Sequence, residues 1–181
     1  MTDILGYLLY RQNVPNFKAN LGDILVRGMH LRHYVIGGFN MNIGELLIKE
    51  STPTPQEYIL LRKSLQWEIY SESAVTQALQ NSLYGVSIYL NNQIIGTGRV
   101  VGDAKLCFYI QDVMVAPNAQ HQGIGRIIMK YIMSYIYSIA VDGAYIGLMS
   151  KKGKEAFYEN FGFVKRPNSS MGCGMVIPRI N

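Results

Sequence analysis

Gln111 to Arg126 reads QDVMVAPNAQHQGIGR, and this stretch decides the fold. The apolar and β-branched residues up to Val115 suit a strand, Pro117 breaks it, and Gly123 and Gly125 open an apolar helix read over Ile127–Ile139. Neither glycine carries a Cβ, so the backbone there can approach a ligand closely. Amides at a helix start have no intrahelical partner, and the helix dipole favours an anion in front of them. Strand, loop, two glycines and helix therefore read as a phosphate cradle. A dinucleotide fold would require Gly-x-Gly-x-x-Gly in an early βαβ unit, with an acid about 20 residues on. Here the third glycine position is Ile128, and the unit follows an antiparallel meander. A Walker loop needs Gly-Lys-Ser/Thr, which is absent. What remains is a cradle for a different pyrophosphate-bearing cofactor, or a glycine-rich turn that binds nothing.

The chain around it has 181 residues, about one domain's worth. A domain of this size buries roughly 70% of its unfolded surface and needs no disulfide or structural metal. Hydrophobic residues make up 49% and charged residues 16%, which excludes a disordered polyampholyte. Cys107 and Cys173 lie far apart and match no zinc or disulfide framework, which suits a reducing compartment, and Cys107 is read as packing in its strand. No apolar run reaches the ~18–20 residues that a bilayer span requires, so the expected location is the cytoplasm, with no membrane partner. Seventeen Lys and Arg against twelve Asp and Glu give a net charge of +5. The bases are scattered instead of forming the patch of a nucleic-acid binder, and no nucleic-acid partner is expected. The tightest group, Lys151, Lys152 and Lys154, is either a solvated loop or a site for an anion.

Residues 1–40 show no sustained period, and their apolar triplets are broken by Asn, Gly and Pro. Asp3 and Arg11 stand where a signal peptide would need positive and apolar residues. These 40 residues are read as an extension of unassigned role, and residues 41–181 as the functional domain. From there the punctuation is regular. Gly44–Glu50 reads as a strand, and Pro53 and Pro55 start a helix striped by Tyr58, Leu61, Leu65 and Ile69. A second helix over Glu72–Leu83 has Ser71 as its N-cap. Val86–Leu90 and Ile94–Val101 form a hairpin about Asn91-Asn92, and Lys105–Val115 follows as a long strand. After the cradle and its helix come a strand at Ala144–Met149, a short helix at Lys154–Asn160, and a closing strand pair, Phe163–Arg166 with Gly174–Ile177. The order β-α-α-β-β-β-α-β-α-β-β describes an α+β domain with a mixed, mostly antiparallel sheet flanked by helices.

Three blocks in this order resemble the GNAT N-acetyltransferases. Gln120-His121-Gln122-Gly123-Ile124-Gly125 matches the family's Gln/Arg-x-x-Gly-x-Gly/Ala motif, which holds the pyrophosphate of acetyl-CoA. Asp112-Val113-Met114-Val115-Ala116-Pro117 is similar to the strand that ends in that loop, and Ala156-Phe157-Tyr158-Glu159-Asn160-Phe161-Gly162-Phe163 is similar to the Phe-Tyr-x-x-x-Gly-Phe segment. The resemblance covers about residues 43–178. Gly96–Asp103 and the Trp67 helix resemble, more weakly, a bacterial branch described as aralkylamine or small-amine acetyltransferases.

The resemblance implies roles. Backbone amides from Gln122 to Arg126, including those of Gly123, Ile124 and Gly125, would hold the pyrophosphate, assisted by the side chains of Gln120 and Arg126. His121, in the same loop, fits cofactor contact or solvent exposure better than catalysis. The backbone of Val113, Met114 and Val115 would pair with the pantetheine arm. An amide near Met114 or Val115 would donate to the thioester carbonyl, an oxyanion-type contact. Tyr158 would protonate the departing CoA thiolate, since a phenol with pKa near 10 can donate a proton at neutral pH; the plain alternative is a core aromatic. Asp112 is a candidate general base or a structural carboxylate, and Glu68 and Glu72 are weaker base candidates. Trp67 and Tyr70 would form an aromatic wall for the acceptor, or Trp67 would simply pack its helix. No acyl-enzyme nucleophile and no metal are expected, and the His30/His33 pair alone is poor evidence for one. The implied reaction is direct acetyl transfer from acetyl-CoA to a small primary amine within a ternary complex. Its alternatives are a non-catalytic acyl-CoA-binding or sensor module, or acetylation of a protein N-terminus or lysine. A homodimer is compatible with the family.

Overall fold

The computed structural model describes residues 46–177 and, before them, the backbone of three short strands. Those strands are β1 (His30–Leu31), β2 (Tyr34–Ile36) and β3 (Phe39–Met41). Then come β4 (Leu46–Lys49), α1 (Pro55–Ser64), α2 (Glu72–Gln80), β5 (Tyr84–Leu90), β6 (Gln93–Gly102), β7 (Cys107–Val115), α3 (Ile124–Ile139), β8 (Tyr145–Leu148) and α4 (Glu155–Glu159). The chain divides into two compact units at Leu148/Met149. The remaining residues of the N-terminal extension lie outside the described residues, but β1 falls within it and its backbone pairs with β4.

In the first unit one sheet runs β1-β4-β5-β6-β7-β8, and β2 pairs with β3 apart from it. All neighbours are antiparallel except β7 and β8, so the mixed, mostly antiparallel sheet with flanking helices is as the sequence implies. Local chemistry sets its turns. Asn91 and Asn92, at φ 48° and 63°, link Leu90 to its partner Gln93; two left-handed residues match the strand twist in a two-residue hairpin, and asparagine tolerates them well. Asp103 accepts from the amides of Lys105, Leu106 and Cys107, and these bonds lower its pKa.

Residues 85–89 of β5 are all buried, so both faces of the sheet are covered there. One cover is α3, whose Ile128, Met129, Ile132 and Ile136 are fully buried. Gly96 and Gly98 of β6 let it lie close: a Cβ at Gly98 would stand 2.6 Å from Cγ2 of Ile128. A second cluster joins Tyr58 and Leu61 of α1 and Val75 and Leu79 of α2 to Tyr89, Ile94 and Met114. Ser71 caps α2, its hydroxyl accepting from the Ala74 amide, and Thr54 with Glu57 forms a capping box on α1.

Three expectations are corrected. The first helix ends at Ser64 and not near Ile69, because Gln66 takes φ 57° and the Trp67 amide turns back to the Arg62 carbonyl. Ile69 is consequently 43% exposed. The closing strand pair is absent among the described residues; instead the Asn168 side-chain oxygen accepts from the amides of Ser170 and Met171, and the Asn168 backbone amide donates to the Met171 carbonyl, holding a turn. Cys107, expected to pack in its strand, is exposed, as is Cys173, because the pleat turns Phe108 and Ile110 inward. Among the described residues no helix is long and apolar enough to cross a membrane.

Candidate active site

The two long strands β6 and β7 pair Gly102 with Phe108 through to Arg99 with Gln111, then resume at Thr97 with Met114. Asp112 and Val113 together therefore face Gly98, a β-bulge, and Asp112 takes φ 53°. A bulge re-aims the side chains after it, so simple alternation does not locate Asp112. Its carboxylate accepts from Arg62 Nη1 at 3.2 Å and from Arg99 Nε at 2.7 Å, with the side chain 9% exposed. Both oxygens are thus engaged by guanidinium donors, which favours the structural alternative for Asp112 over the base.

On its other side, β7 pairs with β8 from Cys107 with Tyr145 to Ile110 with Leu148. There β8 ends, while β7 runs on to Val115. From Gln111 to Val115 that edge of β7 has no strand partner among the described residues, and a backbone edge of this kind is a template for an extended ligand. Met114 is fully buried and its side chain belongs to the core, so only backbone is on offer there.

The loop after β7 delivers the chain to α3. Pro117–Ala119 forms one 3₁₀ turn. The Gln120 side-chain amide donates to the Val115 carbonyl at 3.1 Å, and that of Gln122 to the Asn118 carbonyl at 2.9 Å. These two glutamines brace the loop from within. His121 and Gly123 take φ 63° and 82°, and Gly123 caps α3 with no side-chain hydrogen bond. The first intrahelical bond runs from the Ile127 amide to the Gly123 carbonyl, so the amides of Ile124, Gly125 and Arg126 point out of the helix start. Arg126 and His121 are exposed. Sequence reading gave Gln120 a ligand-facing task, whereas its side chain is turned to Val115.

Trp67 and Tyr70 lie in the α1–α2 loop. Both rings face the guanidinium of Arg62, at 5.4 Å and 4.8 Å, and Trp67 also packs on the cluster beneath α1. Sequence reading missed Arg62, since a basic residue in the last turn of a helix is ordinarily a solvated cap. Tyr158 lies in the second unit, on α4, with its ring edge-on to Phe157 at 5.0 Å and to Phe163 at 6.3 Å. Burial raises its pKa above the ordinary tyrosine value.

Comparison with known proteins bears on the fold and the family. Residues 82–165 match the family model described as an acetyltransferase (GNAT) domain. A protein of unknown function from meticillin-resistant Staphylococcus aureus, described as a probable acetyltransferase, is 31% identical; the match covers 74% of this chain and 99% of that one, with a TM-score of 0.68. A GNAT-family acetyltransferase from Streptococcus pneumoniae shares the fold at 23% identity and a TM-score of 0.61, over 75% of this chain and 99% of that one. An uncharacterized ycf52-like N-acetyltransferase of Prochlorococcus marinus is 26% identical over 61% of this chain, and the chain spans 62% of that relative's length. The matched residues take in β5–β8, the braced loop, α3 and α4, and the chain belongs to the GNAT acetyltransferase family.

Proposed function

We propose that this chain is an acetyl-CoA-dependent N-acetyltransferase that moves the acetyl group to a small primary amine by direct transfer in a ternary complex. The observation that carries the reading is the continuity of one backbone path. The edge of β7, without a strand partner beyond Ile110 among the described residues, leads through a braced loop to the outward amides of α3. An extended arm ending in a pyrophosphate fits that path. Acetyl-CoA supplies the activated acetyl thioester. The backbone at Val113–Val115 would hold its arm, and the amides from Gln122 to Arg126 its pyrophosphate.

Tyr158 is assigned as the acid that protonates the departing thiolate. The family segment motivates this, and the raised pKa keeps the phenol protonated at neutral pH. Trp67 and Tyr70 are assigned to the acceptor wall. Asp112, held by two arginines, is assigned a positioning task in place of the base. The reaction is placed in the cytoplasm. The rival readings, a non-catalytic acyl-CoA sensor and a protein acetyltransferase, differ from it in turnover and in acceptor.

The binding half is tested with Gly125→Glu. A carboxylate in the first turn places charge and bulk where the pyrophosphate would sit, so calorimetry should show acetyl-CoA affinity strongly reduced while circular dichroism shows a folded protein. Unchanged affinity in the folded variant defeats the assignment of the cradle.

A further inference from the structure

Arg62 is only 8% exposed, and the proposed reaction gives it no task. Its Nε donates to the Glu68 carbonyl at 2.7 Å, and its Nη1 to the Tyr58 hydroxyl at 3.1 Å and to Asp112. Its guanidinium carbon lies 5.6, 5.4 and 4.8 Å from the ring centroids of Tyr58, Trp67 and Tyr70. A buried cation is costly unless paired; here one carboxylate, one carbonyl and three ring faces surround it, an arrangement suited to the planar fork of arginine and not to lysine. The other oxygen of Asp112 is held by Arg99, whose Nη1 reaches the Ala78 carbonyl and the Ser82 hydroxyl at the end of α2. A single carboxylate at the β7 bulge thus anchors both the α1–α2 loop and the end of α2.

We propose that Arg62 is a positioning residue for the acceptor: it fills the cage of Tyr58, Trp67 and Tyr70 and fixes the α1–α2 loop to the bulge of β7. This rests on the acetyl-transfer reading, in which that loop walls the acceptor and β7 holds the thioester arm. The rings already enclose an internal cation, so those faces shape the wall and do not capture the ammonium of the substrate. Acceptor and acetyl donor are then held in register by the Arg62–Asp112 contact.

Trp67 is the sole tryptophan of the chain, so its fluorescence reports the loop directly. Arg62→Lys keeps a charge beside Asp112 but loses the fork. In this variant Trp67 should become more accessible to acrylamide, with acetyl-CoA affinity by calorimetry unchanged. The kcat/KM for the best amine of a panel should fall mainly through kcat, by up to about 10²-fold, the scale of a misplacement of about 1 Å. Asp112→Asn should expose Trp67 similarly, and the double variant should add little, as for residues acting through one contact. If Arg62→Lys does not fold, Tyr70→Leu at the half-exposed wall carries the same readout. Quenching equal to the parent in the folded variants overturns the clamp. Looser Trp67 with an unchanged kcat/KM for the acceptor overturns the acceptor role. A parent protein that acetylates no amine overturns the functional reading and the acceptor role with it, while Trp67 quenching still decides whether the clamp exists.

Discussion

Replacing Gly98 by valine tests whether the close seating of α3 on β6 positions the cradle. A Cβ at this position stands 2.6 Å from Cγ2 of Ile128 and 2.9 Å from Cδ1 of Ile132. The Ile132 methyl is a chain end and can rotate away. Cγ2 of Ile128 cannot, because a β-branched residue in a helix has essentially one χ1 rotamer and Ile128 is fully buried. The helix must lift, and overpacking of this kind costs roughly 1–3 kcal/mol. Restricting the unfolded chain returns about 0.4–1 kcal/mol, which leaves a net loss of about 1–2 kcal/mol. At about 2–4 °C per kcal/mol for a chain of this length, the Tm should fall by about 2–8 °C. Ile124, the first residue of α3, is seated on Gly96 of the same strand, where a Cβ would stand 2.9 Å from its Cγ2. Lifting the helix therefore moves the outward amides, and acetyl-CoA affinity should fall along with the Tm. Thermal unfolding followed by circular dichroism and calorimetric titration read the two effects. A Tm and an affinity both equal to the parent would refute the argument that glycine is needed beneath α3.

Tyr158→Phe removes only a hydroxyl, so acetyl-CoA affinity should hold while the single-turnover rate falls by roughly 10²–10⁴-fold. A parental rate across the pH range would return Tyr158 to a packing role. In the parent, the alkaline limb set by this acid should lie above the ordinary tyrosine range, since burial raises its pKa. Tyr89 donates to Glu57 at 3.2 Å, and burial, followed by that carboxylate, raises its pKa to about 12. A folded pKa above the unfolded value of about 10 means that this contribution is whole below pH ~10 and is lost as the pH rises towards about 12. Tyr89→Phe should therefore show a shallower fall of Tm over that window, and an equal slope would contradict the assignment. A chain beginning at Met41 removes the two-residue β1 ladder on β4 and leaves β4–β8 intact. It should fold and bind acetyl-CoA, and a failure to fold would make the extension part of the core.

What the sequence revealed was local. Ser71 as a cap, Asn91-Asn92 as a turn and Gly123 at the head of α3 act on backbone within a few residues, so their types announce them. The turn from β7 through the loop into α3 was legible for the same reason, although the inward task of Gln120 was not, because only the folded loop brings its amide to the Val115 carbonyl. Asp112 was ambiguous because its partners lie 13 and 50 positions away, and the bulge that aims it depends on the register of β6. Arg62 was invisible because its cage is assembled by a loop that turns back on its own helix. The end of α1 was overrun for a related reason: the apolar spacing continues to Ile69, but the bonds at Gln66 and Trp67 do not.

The central claim is catalytic, and the most direct measurement follows acetyl-CoA incubated with the protein and a panel of amines. Free thiol is titrated and products are identified by mass spectrometry. The account predicts that at least one small primary amine is converted to its N-acetyl derivative, one thiol released per product. Tight acetyl-CoA binding with no thiol release above the no-amine rate for any member of the panel would contradict it and leave a non-catalytic acyl-CoA module in its place.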